Sequence, residues 1–153
     1  MEATKMQNNM KRLFTFLAKP RPSDLTFDLA MFFFRIATSL EIIVVHGFKK
    51  LGIGVANAEN VPNPLHLPDV FNNAFATAAN ILFPFLVLIG FCTRFATLPT
   101  LAVTLTGYFV VHFHDPLLVR DTPFVYSLMF LLILLMGPGK YSLDNFIYKK
   151  VTL

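Results

Sequence analysis

Residues 28–50 read DLAMFFFRIATSLEIIVVHGFKK. The stretch is long and apolar enough to cross a bilayer, which takes about 17–25 mainly apolar residues. Yet it carries Arg35 and Glu41 and closes in His46-Gly47-Phe48-Lys49-Lys50. An ionised side chain in hydrocarbon costs at least ~2.5–3.5 kcal/mol, so such residues face a bundle interior or a wet cavity and mark a pathway or site. The stretch therefore predicts a membrane protein with polar chemistry inside the bilayer.

The rest of the chain agrees. Of 153 residues, 55% are hydrophobic and only 14% charged, against roughly 25% charged in an ordinary soluble domain. The net charge of +4 comes from Lys and Arg at the ends of apolar runs, a topological pattern with none of the basic and aromatic interleaving that reads bases. No nucleic-acid partner is expected. The single cysteine, Cys92, excludes intrinsic dithiol chemistry, which needs a pair, and it reads as a small buried residue.

Four apolar runs are visible: Leu25–His46, Phe71–Cys92, Phe95–Phe113 and Pro123–Met136. The last is short unless it begins in the preceding loop. Asp121-Thr122 before Pro123 resembles a helix cap with proline at the first helical position, and Gly137-Pro138-Gly139 ends the run. Pro84 predicts a kink near Ile81–Pro84. Lys5, Lys11, Arg12, Lys19 and Arg21 precede the first run, Arg94 lies in the second connection, and Lys140, Lys149 and Lys150 follow the last. The positive-inside rule then places both termini in the cytoplasm. The expected architecture is an all-α, up-down four-helix bundle of a multi-pass inner-membrane protein. Residues 1–24 form a basic cytoplasmic tail without the features of a signal peptide, residues 25–153 the membrane domain, and Tyr141–Lys150 a short interfacial helix with Ser142 as N-cap.

By depth, the polar residues other than Arg35 gather in the outer half of the bundle, and His46, Lys50, His112 and Asp115 are expected to converge in one water-accessible cavity floored by Glu41 and Asn80. His46 and Lys50 share a face if the first helix continues. Glu41 lies ~7.5 Å below His46 and Arg35 ~9 Å below Glu41. Asn80 sits on the second run, His112, His114 and Asp115 close the third, and Arg120 and Asp121 open the fourth. The histidine spacing is not diagnostic of a metal site, and none is expected.

Taken in order, Arg35, His46-Gly47-x-x-Lys50, Gly90-x-x-Thr93-Arg94, His112-x-x-Asp115-Pro116 and Gly137-Pro138-Gly139-x-Tyr141-Ser142-Leu143-Asp144 resemble the DoxX family of small four-span membrane proteins. That family is named for a subunit of a membrane thiosulfate:quinone oxidoreductase. The resemblance places functional weight on Arg35, His46, Lys50, Arg94, Asp115 and Asp121. Many relatives carry glutamate in the second span where this chain has Asn80, and Glu41, at a similar expected depth, is positioned to replace it.

Together these observations predict a redox-associated subunit with no intrinsic cofactor, a quinone as the expected ligand, and a partner subunit to supply electrons. Glu41, His46 and Asp115 are the candidate catalytic groups. Arg35, Lys50, Asn80, His112 and Asp121 are the candidate substrate-binding groups, with Arg94 and Asp144 structural: Arg94 is expected to bind backbone carbonyls at the end of the second run or to pair with Asp144. Membrane lipid and a second copy of the chain are further expected partners. The competing expectation is a non-enzymatic scaffold or small-molecule transporter.

Overall fold

A computed structural model describes residues 5–11 and 23–152. Most of the expected basic tail, including Arg12, Lys19 and Arg21, lies outside the described residues; residues 5–11 are helical. Among the described residues there is no strand, and four helices are long and apolar enough to span a membrane: α1 (Asp24–Lys50), α2 (Asp69–Ile89), α3 (Thr93–Val111) and α4 (Leu117–Met136). A short α5 (Leu143–Thr152) follows. Large apolar side chains such as Phe33, Phe95 and Leu118 point outward along the helices, far more than a soluble monomer tolerates. The protein is a multi-pass, all-α membrane protein.

The helices run up and down, each packed against the next, while α1 and α4 meet only sparsely. Their ends define two faces. One carries the long connection from Leu51 to Pro68 and the α3–α4 turn, here the loop face. The other carries the α2–α3 turn, the segment after α4 and the start of α1, here the turn face. The backbone N–H of Lys140 donates to the Asp28 carboxylate at 3.3 Å, which ties the two chain ends together on the turn face.

The core is apolar at its centre, where Ile42, Val87, Ala96, Phe130 and Ile133 cluster. Around it runs a seam of buried hydroxyls. Thr93, Thr97, Thr100 and Thr104, three or four residues apart, occupy one face of α3, and such small residues let helices approach closely where water supplies no driving force.

Two helices are interrupted as their sequences demand. Pro84 lacks an N–H for the Asn80 carbonyl and its ring would strike that group, so α2 breaks at Ile81 (φ −126°, ψ −65°). The Thr100 hydroxyl donates to the Ala79 carbonyl at 2.7 Å beside the break. Gly47 sits opposite. A Cβ there would lie 2.7 Å from the Asn80 carbonyl oxygen and 2.6 Å from Ile81 Cγ1, so glycine is what lets α1 pass.

The cap expected at Asp121-Thr122 does not form. Helix α4 begins at Leu117, with Pro116 before it (φ −54°, ψ 149°) and Pro123 inside it. The Pro116 carbonyl accepts from the N–H of Val119 and of Arg120, starting the helix about two turns early. Ser127 Oγ donates to the Pro123 carbonyl at 2.7 Å, and Gly107 of α3 lies beside the proline ring. Cys92 also departs from expectation. It is exposed, and takes a left-handed conformation (φ 45°) as the residue before α3.

Candidate functional site

Where α1 and α4 meet loosely, their facing residues line a lateral groove of about 490 Å3. From α1 come Phe34, Ala37, Thr38 and Glu41; from α4 come Asp121, Thr122, Val125, Tyr126 and Met129. Both sets repeat at three and four residues, the spacing of one helix face. The early start of α4 is what turns Asp121 from a capping residue into a groove residue.

The groove is mainly apolar with a few polar groups, the composition of a small-molecule site. The Thr122 hydroxyl donates to Asp121 Oδ1 at 3.3 Å, and the Thr38 hydroxyl reaches Met129 Sδ at 3.8 Å. Glu41 makes no hydrogen bond or ion pair among the described residues, although it sits nine residues inside the end of α1, roughly 13 Å along the axis. Tyr126 presents its ring to the groove, and the His46 ring meets it edge-on at 5.2 Å. Tyr126, Thr38 and Thr122 are members the sequence analysis missed; Thr38, three residues from Glu41, carried a spacing signal, whereas Thr122 and Tyr126, one and five residues from Asp121, did not.

The expected convergence of His46, Lys50, His112 and Asp115 in one cavity, floored by Glu41 and Asn80, is not what forms. Lys50 Nζ pairs with Glu59 Oε2 at 2.9 Å in the long connection. His112 Nδ1 lies 2.7 Å from Asp115 Oδ2 in the α3–α4 turn, and His114 packs on Phe113. Asn80 is buried and donates to the Ala76 carbonyl of its own helix at 2.9 Å. Both helices wind as π-helices at this end, α1 over Ile42–Gly47 and α3 over Gly107–Val111, and so bond i→i+5, changing which residues share a face. Asn80 lies level with Gly47, six residues or roughly 9 Å from Glu41, and lines no part of the groove. The two do not share a depth.

At the turn face the remaining motifs lock together. Arg35 is 1% exposed; its Nη1 donates to the Val87 carbonyl at 3.1 Å and its Nη2 to the Tyr141 carbonyl at 2.7 Å. It thus adds a donor at the Val87 carbonyl near the end of α2, which the Gly90 N–H also serves at 3.0 Å, the task expected of Arg94, and it joins α2 to the segment after α4. Gly90 (φ 74°) closes α2, and a Cβ there would overlap Arg35 Nη1. Asp144 caps α3 instead of pairing with Arg94: Oδ1 accepts from the Cys92 N–H at 2.7 Å, and Oδ2 from the Thr93 N–H and hydroxyl at 2.9 and 2.7 Å. Arg94 Nε donates to the Leu134 carbonyl at 3.2 Å, at the end of α4. Ser142 is the expected cap of α5, its Oγ accepting from the Asn145 N–H at 3.1 Å.

The pattern of the DoxX family matches residues 30–113, just over half of the 153-residue chain. An uncharacterized protein of Haemophilus influenzae is 30% identical over 96 residues, or 60% of this chain, and the chain spans 64% of that protein's length. No solved structure matches. The matched region carries Arg35, the HGFKK segment and the Gly90–Arg94 turn, whose contacts organise the bundle. The chain belongs to the DoxX family.

Proposed function

We propose that this protein is a redox-associated membrane subunit whose groove between α1 and α4 takes a quinone or quinol laterally from the bilayer. The observation that supports this most is Glu41, a carboxylate with no hydrogen bond or ion pair among the described residues, well inside the span and lining an apolar groove. A quinol hydroxyl donates to such a carboxylate, and the Tyr126 hydroxyl can donate to the carbonyl of the oxidised form. Two protons accompany the two electrons of quinol oxidation. Glu41 accepts one, and Asp121, nearer the loop face, offers the other an exit towards water. With one cysteine in the chain and no motif for a redox centre, the electrons pass to a partner subunit.

An anionic sulfur compound would instead meet the loop face. There the Arg120 guanidinium lies 4.7 Å from the Tyr108 ring centroid and 5.4 Å from that of Phe113, with no carboxylate partner among the described residues. The Lys and Arg distribution supports a cytoplasmic-membrane location with the turn face inward. Extraction of the protein from quinone-containing membranes, followed by chromatography of the bound lipids, tests the proposal. Co-purification of about one quinone per chain is expected. A stable soluble partner with no bound quinone would favour a scaffold.

A further inference from the structure

We infer that the turn face holds a second binding site, for the phosphate of an anionic glycerophospholipid, centred on Arg94. A cavity of about 510 Å3 opens there, walled by Arg94 and Phe95 of α3, Pro138 after α4, and Asn145 and Tyr148 of α5. Arg94 spends only Nε on the protein, on the Leu134 carbonyl. That bond anchors the guanidinium beside Gly137, while its two Nη groups make no hydrogen bond among the described residues. A guanidinium held at one corner with its terminal N–H groups free is arranged for two-point binding of a phosphate.

Asp144 also lines the cavity, but both of its oxygens are taken by the start of α3. Its charge is thereby met by the N–H groups of Cys92 and Thr93 and by the Thr93 hydroxyl. Arg94 and the Tyr148 hydroxyl, which makes no hydrogen bond among the described residues, are the side-chain groups placed to meet the ligand. The surroundings select a lipid over a soluble phosphate. Phe95 is 68% exposed on the first turn of a membrane span, and Phe146 and Ile147 stand exposed on α5. Lys149 and Lys150 close the same short helix. Apolar side chains for acyl chains beside cations for the headgroup are the composition of an anionic-lipid site at a membrane surface.

Native mass spectrometry of the detergent-purified protein, titrated with phosphatidylglycerol or phosphatidylcholine, tests this. Phosphatidylglycerol should be retained preferentially. Arg94→Gln should weaken that retention by about tenfold, the equivalent of one lost charge-assisted pair, without altering retention of phosphatidylcholine. Inorganic phosphate should not compete. Should Arg94→Gln not fold, Tyr148→Phe, which removes an exposed hydroxyl only, should still weaken phosphatidylglycerol retention severalfold. Equal retention of the two lipids, or unchanged retention in the variant that folds, would overturn the proposal. Full displacement by inorganic phosphate would overturn the lipid as its source.

Discussion

The Arg35 guanidinium occupies the space that a side chain on Gly90 would need, so one buried cation and one missing Cβ together close the turn face. Gly90→Ala would add a left-handed strain of roughly 1–2 kcal/mol and displace Arg35 from the Val87 and Tyr141 carbonyls. Hydrogen bonds from a charged group contribute about 1.5–3 kcal/mol each. Thermal unfolding in detergent should show Gly90→Ala strongly destabilised, and Arg35→Gln comparably so. A near-native midpoint in either would contradict this account of the motif.

Asp144 is expected to act as a cap. Asparagine keeps one acceptor oxygen for three donors, so Asp144→Asn should cost on the order of 1–2 kcal/mol. Thermal unfolding in detergent reports this directly, and an unchanged midpoint would count against the cap.

Gly47→Ala tests the crossing of α1 over the break in α2. Its Cβ meets the Asn80 backbone and Ile81 at under 3 Å, and overpacking of that kind costs about 1–3 kcal/mol. Lower folded yield is expected. A fully stable variant would show that the two helices can separate without loss.

Topology has a native reporter, because Cys92 is exposed on the turn face. A membrane-impermeant maleimide applied to intact cells should leave Cys92 unlabelled and should label a cysteine placed at Asn57, on the opposite face. The reverse pattern would invert the proposed orientation.

The four spans were legible because apolar runs bounded by charge state a length, and a bilayer turns length into fold. The start of α4 was not. Asp121-Thr122-Pro123 has the local marks of a helix beginning, and what overrides them is a competing start at Pro116-Leu117, where the Pro116 carbonyl already accepts from the N–H of Val119 and of Arg120. The groove was legible only in part. Glu41 and Asp121 were named from their charge, but the depth matched between Glu41 and Asn80 assumed an uninterrupted helix, and the π-helical turn at Ile42–Gly47 changes both facing and level. Arg35 was noticed for its cost in lipid, whereas its partners, two backbone carbonyls on distant segments, leave no mark in the sequence. For the same reason Asn80→Glu should fail to rescue Glu41→Gln, since the restored carboxylate would lie roughly 9 Å away and outside the groove.

The central claim is that Glu41 binds a quinol within the α1–α4 groove. A titration of purified protein with a short-chain quinol, comparing the native chain with Glu41→Gln, tests it most directly. Saturable binding is expected for the native protein, weakened by about tenfold or more in the variant as a charge-assisted hydrogen bond is lost, with the unfolding midpoint unchanged. Equal affinity in the two proteins would contradict the claim.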